Sequence, residues 1–155
     1  FDMPTTLNTT SSNAISRMFR SIGNAIPNYK WSHTNSGASG PNIVTGLHNL
    51  GYTQAKQSVY SLGVAYDSFE DGYPVLLGGS DSRGSHIWIA SGYWQAVWKV
   101  TKKFLGIKLK TWYEYQDNIY MNWGWDGDQN GWIDNESWPN FNNQRQIWHR
   151  LNPSY

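Results

Sequence analysis

The chain has 155 residues, enough for one domain with a sizeable core, and its 12 basic and 11 acidic side chains leave a net charge of +1. That balance gives no electrostatic case for nucleic acid, and no apolar run approaches the roughly 20 residues of a membrane helix, so neither is expected as a partner. Cysteine is absent, which removes disulfides, thiolate metal sites and any thiol nucleophile of the chain's own, while ten Trp and ten Tyr suit an aromatic-packed β domain or a ligand-stacking surface.

The chain opens Phe1-Asp2-Met3-Pro4, without an initiator Met or a charged-then-apolar leader, and reads as a processed or partial chain. Residues 1–11 are polar and turn-like, an arm or linker. Ser12 or Asn13 can cap a helix whose apolar positions Ile15, Met18, Phe19 and Ile22 recur at helical spacing. Gly23 is the expected stop, and Pro27 prevents a restart. A Gly/Ser/Asn-rich loop follows to Gly40. Pro41 suits the first turn of a second helix carrying Ile43, Val44, Leu47 and Leu50, with Gly51 ending it. His33 reads as a loop histidine, His48 as a half-exposed one, and His149 as a sheet-surface residue of the last strand.

From residue 57 onward the pattern is mainly that of strands. Ser58–Leu62 reads as a short one, and 64–71 as an irregular piece with one helical turn. Pro74–Gly78 is a strand with proline at its start, where a missing N–H does least harm. Gly79–Gly84 is a turn that delivers His86. Trp88, Ala90, Gly92, Trp94, Ala96, Trp98 and Val100 then alternate on one face, and Ile107 to Tyr115 form the returning strand. The tip between them, Lys102 to Gly106, presents apolar side chains. Lys99, Lys102, Lys103, Lys108 and Lys110 cluster there, and the acids from Glu114 to Glu136 follow. Residues 135–143 are loop, and Gln146–Leu151 is a last strand. The sum is a single α+β domain over 1–155: an arm at 1–11, two helices at 12–51, and a twisted antiparallel sheet over 57–155 on which they pack.

The densest stretch is Met121-Asn122-Trp123-Gly124-Trp125-Asp126-Gly127-Asp128-Gln129-Asn130-Gly131-Trp132. It opens as a strand, breaks at Gly124 and turns through Gly, Asp and Asn, residues that tolerate positive φ or bond their own backbone. Upstream stands Gly84-Ser85-His86-Ile87-Trp88-Ile89-Ala90-Ser91-Gly92-Tyr93. Together the two segments resemble the streptopain-like (C10-type) cysteine peptidases, which carry Gly-His-Ala-Trp-Val-x-Asp-Gly-Tyr followed by Asn-Trp-Gly-Trp-Gly-Gly and Asn-Gly-Tyr or Asn-Gly-Trp. More distantly, 122–132 is similar to a stretch of papain-like enzymes. Helix 13–23, loop 36–40, Gly51-Tyr52, Gly72-Tyr73-Pro74-Val75 and Leu151-Asn152-Pro153 extend the likeness over most of the chain. Ser85, Ser91 and Asp126 depart from it.

The resemblance implies the sheet-rich, His-bearing half of a papain-like catalytic domain, secreted or at the cell surface, hydrolysing peptide bonds in protein or peptide substrates. His86 then pairs with a cysteine thiolate, Asn122 lies behind His86 and orients it, and Trp123 or Trp125 shields that bond from water. The cysteine belongs to an N-terminal half that this sequence lacks. That half is the implied partner, and the chain alone is expected to be inert and prone to self-association through an apolar face. No serine offers itself as a substitute: Ser91 follows on the same strand with opposite parity, and Ser80, Ser82 and Ser85 are too near His86 in sequence.

No cofactor is implied. A rival reading of the turn is an EF-hand-like calcium loop through Asp126, Asp128, Asn130 and Asp134, although Ser137 stands where a bidentate carboxylate is required. Two further classes compete with the peptidase half. One is a standalone pseudo-enzyme or interaction domain that kept the scaffold. The other is an aromatic-rich carbohydrate- or peptide-binding β module.

Overall fold

The computed structural model of the chain describes residues 8–33 and 36–153. Among the described residues it is α+β, with three helices and a six-stranded antiparallel sheet. The chain divides into two compact units, Phe1–Gln57 with Asn152–Tyr155, and Ser58–Leu151.

In the first unit, α1 (Thr9–Ala25) starts earlier and ends later than its sequence predicts. The cap is Asn8, not Ser12 or Asn13. Its side chain accepts from Ser11 N and Ser11 Oγ accepts from Asn8 N, both at 2.9 Å, which satisfies two orphan donors reciprocally. Of the expected arm, 8–11 form the cap and first turn of α1, and 1–7 lie outside the described residues. Gly23 is no stop but a buried contact point, since a Cβ there would meet the Trp31 indole at 2.2 Å. Helix α2 (Gly40–Asn49) begins with Pro41 in its first turn and ends before Gly51, whose φ of 96° suits glycine. Gly46 lets α2 approach α1's C-terminal cap, because a Cβ would meet Ile26 Cγ1 at 2.4 Å.

The sheet, which belongs to the second unit apart from Lys56 and Gln57, has the order β1-β6-β2-β3-β4-β5, with β1 (Lys56–Val59), β2 (Val75–Asp81), β3 (Gly84–Phe104), β4 (Ile107–Asn122), β5 (Gly131–Asp134) and β6 (Asn143–His149). The segment expected to make one helical turn is a full helix, α3 (Leu62–Glu70). It joins β1 to β2 across the intervening β6 and packs on this sheet, with Ala65 buried and Leu62, Val64 and Phe69 against the core. Nine residues give only two turns of periodicity, which is why the pattern is weak in sequence.

One face of the sheet carries the core. Val75 and Leu77 on β2, Trp88 and Ala90 on β3, Ile119 and Met121 on β4, and Ile147 on β6 are all buried, and Trp123 follows β4. The long alternation predicted for β3 does not hold. Ala90 pairs with Met121 but Gly92 pairs with Tyr120, so Ser91 is an extra residue, a β-bulge. Beyond it the parity inverts. Tyr93, facing buried Ile119, continues the core face, whereas Gly92, Trp94, Ala96, Trp98 and Val100 pass to the other side. A single extra residue moves every later side chain across the sheet.

Candidate active site

The site forms where β3 begins and β4 ends. His86 pairs across the sheet with Gly79 of β2, two residues before buried Trp88 on the same face. The expected turn over 79–84 is shorter than predicted, because β2 runs on to Asp81 and only Ser82-Arg83 reverses the chain. His86 thus stands on paired backbone, half-buried, with its ring against Trp125 (centroids 5.3 Å apart, stacked), Trp88 (6.0 Å, stacked) and Phe141 (5.2 Å, tilted). Trp123 continues the stack, 4.5 Å from Trp88 and 5.4 Å from Trp125.

Nε2 of His86 lies 2.8 Å from the carbonyl oxygen of Trp123. A carbonyl oxygen only accepts, so Nε2–H donates, and in the neutral ring Nδ1 is the nitrogen that keeps a lone pair. The bond expected from the Asn122 side chain is therefore made one residue later, by main chain. Asn122 itself pairs with Ile89, on the exposed face opposite Trp88 and His86. Its Oδ1 accepts from Gly124 N at 3.0 Å, an Asx turn that helps set the break at Gly124, where φ is 78°. Asn130 completes the arrangement: its Oδ1 accepts from Trp123 N at 2.9 Å. The peptide groups on both sides of Trp123 are thereby tied, one to the turn and one to the imidazole.

The wall on the far side of His86 is a loop that the sequence does not mark as part of a site. Phe141 reaches the imidazole because Gly79 has no side chain, since a Cβ there would fall 1.9 Å from Phe141 O. Asp81 accepts from Phe141 N at 3.3 Å and from Arg83, whose Nη2 lies 2.5 Å from Asp81 Oδ2 and 2.9 Å from Asn140 Oδ1. Arg83 also lies over the Phe141 ring, 4.8 Å from its centroid. The hydrogen bond from the Arg83 guanidinium holds the Asp81 carboxyl down at about 2, against a smaller opposing effect of burial.

Arg145 of β6 holds the rest of the loop. It donates to Asn135 O (2.8 Å), Glu136 O (3.1 Å) and Asn142 Oδ1, and its guanidinium sits 4.0 Å above the Trp138 ring centroid. Trp138 in turn packs edge-on against Trp88. Burial raises the Tyr60 phenol above its ordinary range, and its hydroxyl donates to Asn135 Oδ1 in the same network. The indole N–H groups of Trp88, Trp123 and Trp138 are buried without a partner among the described residues, at a cost of about 1–3 kcal/mol each that ring packing offsets.

The Asp-rich turn is built differently from a calcium loop. Asn130 is committed to Trp123 N, and Asp134 accepts from Gln116 Nε2 and Glu136 N. Among the described residues no three His, Cys, Asp or Glu groups stand where they could share an ion. A cleft of about 400 Å³ lined by Asn28, Lys30, Gly37, Ala38, Ser39 and Asn42 lies in the first unit and contains none of the predicted site residues.

Chemically, the arrangement presents an imidazole of fixed orientation among indole faces. Such a ring can take a proton at Nδ1 from an acidic group brought to it and pass it to a leaving group. Sequence reading finds His86, Trp123 and Trp125 but misses Gly79, Asp81, Arg83, Phe141 and Arg145. Of these only the glycine beside a strand carries a signal, and it does not say what approaches. No curated protein matches the chain. The family model of the Peptidase C10 family matches residues 2–133, and on that match, spanning both motifs of the site, the chain belongs to the Peptidase C10 family of cysteine peptidases.

Proposed function

We propose that this chain supplies the His-bearing half of a streptopain-like cysteine endopeptidase with a papain-like fold. Its nucleophilic cysteine comes from a segment that these 155 residues do not include. The observation that carries the reading is the 2.8 Å bond from His86 Nε2 to Trp123 O, which dedicates Nδ1 to proton exchange. In this mechanism Nδ1 holds the approaching cysteine as thiolate, and the resulting imidazolium protonates the leaving amine after attack on the peptide carbonyl. Trp123 orients the ring through its carbonyl, and Trp125, Trp88 and Phe141 keep water from it. By resemblance to the streptopain-like enzymes we extend this to a protein or peptide substrate and a secreted or cell-surface location.

The test is to express the Cys-bearing segment joined to, or mixed with, this chain and to assay an unfolded protein substrate. Hydrolysis is expected with both parts, none with either alone, and none after His86→Ala. Hydrolysis by the isolated chain would overturn the mechanism. A second reading is favoured by the absence of cysteine from the sequence: a standalone domain of the family that acts by binding. It gains if both parts fold together and no hydrolysis follows.

A further inference from the structure

The longest hairpin of the fold leaves the sheet. Strand β2 accompanies β3 only as far as Ala90, and β5 accompanies β4 only from Asn118 to Met121. From Trp94 to Phe104, and back from Ile107 to Asp117, β3 and β4 pair only with each other. Ten residue steps at about 3.3 Å give this two-stranded ribbon a reach of about 33 Å. An isolated ribbon has no core of its own, so the side chains at its end answer to something other than folding.

That end combines two features that cost a free protein stability. Phe104 pairs with Ile107 around a two-residue turn, Leu105-Gly106, with φ values of 47° and 81°. A turn of this kind favours Asn-Gly, yet its first position holds Leu105, 86% exposed and in a left-handed conformation that a leucine adopts at a penalty. Phe104, Ile107 and Leu109 beside it are 64%, 68% and 58% exposed. Immediately behind, Lys102 pairs with Lys110 and Lys103 pairs with Lys108. Like charges directly opposed across strands repel. Lys102 and Lys103 alternate across β3, and the extra residue Leu109, a second β-bulge, lets Lys110 and Lys108 follow them to opposite faces, so a basic collar surrounds the ribbon. Lys99 adds a fifth cation. The only acid between Asp81 and Asp117, Glu114, is set back from the tip and accepts from Trp98 Nε1 and Trp112 Nε1.

We propose that the tip of the β3–β4 ribbon binds the surface of an anionic lipid bilayer. Phe104, Leu105, Ile107 and Leu109 enter the boundary between headgroups and acyl chains, and the lysine collar meets the lipid phosphates. A soluble polyanion would relieve the lysine pairs but has no place for four exposed aliphatic and aromatic side chains. A bilayer takes both, and depth along the ribbon matches depth in the interface. This departs from the expectation of no membrane partner, which rested on spanning helices. Among the described residues no helix is long and apolar enough to span, and interfacial docking needs none.

The experiment is co-sedimentation of the 155-residue chain with phosphatidylcholine vesicles, with and without about one third phosphatidylserine, at low and high salt. Binding is expected to the anionic vesicles and to fall with salt. Lys102→Ser with Lys110→Ser removes one repelling pair, so it should leave the melting temperature unchanged or raised while lowering partition about 25-fold. Leu105→Asn restores the preferred Asn-Gly turn, and with Phe104→Ser should lower partition by at least about tenfold while circular dichroism stays native. Equal binding to neutral and anionic vesicles, or none to either, would overturn the proposal. So would vesicle binding that survives Leu105→Asn with Phe104→Ser but not the lysine substitutions, which shows charge attraction without entry of the tip. A concentration-dependent dimer that Leu105→Asn dissociates while vesicle binding is unchanged identifies a second copy of the chain, and also overturns it.

Discussion

His86 Nε2 and Trp123 O are 2.8 Å apart, and the bond joins the third residue of β3 to the residue that follows β4. Because the acceptor is main chain, no side-chain substitution removes it directly. The orientation of the imidazole depends instead on the shape of the break at Gly124 and on the Asn130 side chain that holds Trp123 N.

Nitrogen-15 spectra of the imidazole should therefore show the Nε2–H tautomer in the neutral state, in the native chain and in Asn122→Ala alike. Asn122→Ala should lower stability by about 0.5–1.5 kcal/mol through loss of the Gly124 bond. Asn130→Ala should disturb the His86 resonances more. A neutral ring protonated at Nδ1, or its tautomer switched by Asn122→Ala, would contradict the assigned bond.

Gly79→Ala places a Cβ against the main-chain oxygen of Phe141, and no rotamer relieves a backbone clash. We expect a loss of about 1–3 kcal/mol in denaturant unfolding, together with altered tryptophan fluorescence as Phe141 withdraws from His86. Gly37→Ala, where a Cβ meets nothing within 4 Å and φ is not left-handed, should stay within about 0.5 kcal/mol. Equal effects of the two would refute the close approach.

Asp81 gives a pH signature with a definite sign. Its carboxyl is lowered from 3.8 to about 2 in the folded chain, so the folded state favours the ionised form. The resulting stabilisation is complete above pH about 4 and disappears as pH falls through about 2. The difference in melting temperature between the native chain and Asp81→Asn should shrink over that window and be flat above it. A difference that grows on acidification would reverse the assignment.

Arg145 serves a loop rather than a charge partner. Arg145→Met leaves Asn135 O and Glu136 O without their donor and bares the Trp138 face, for an expected loss of about 2–4 kcal/mol. Arg145→Lys should recover little, because one ammonium cannot reproduce three forked contacts and a flat stack. Full rescue by lysine in thermal unfolding would show that charge alone matters.

Short-range chemistry in the sequence was enough for much of this. Pro41 and Gly51 bracket α2, the hairpin reverses within the 102–106 tip (at Leu105-Gly106 only, since 102–104 still belong to β3) with apolar side chains exposed, and the motifs around His86 and Trp123-Gly124-Trp125 lead to the family. These rest on φ restriction, strand period and residue type, which are local. What the tertiary structure decided is where locality fails. The bulge at Ser91 is invisible to alternation because Trp88, Ala90, Trp94, Ala96 and Trp98 keep an unbroken apolar period through it, yet it moves Trp94 and Trp98 to the other face. Gly23 looks like a helix stop, but Trp31, eight positions on, makes it a packing site. Asn122 looks like the partner of His86, but strand parity turns it away and a carbonyl takes its place. In each case a contact between residues distant in sequence outweighs a local preference worth about 1 kcal/mol or less, since burial and backbone pairing act over the whole sheet.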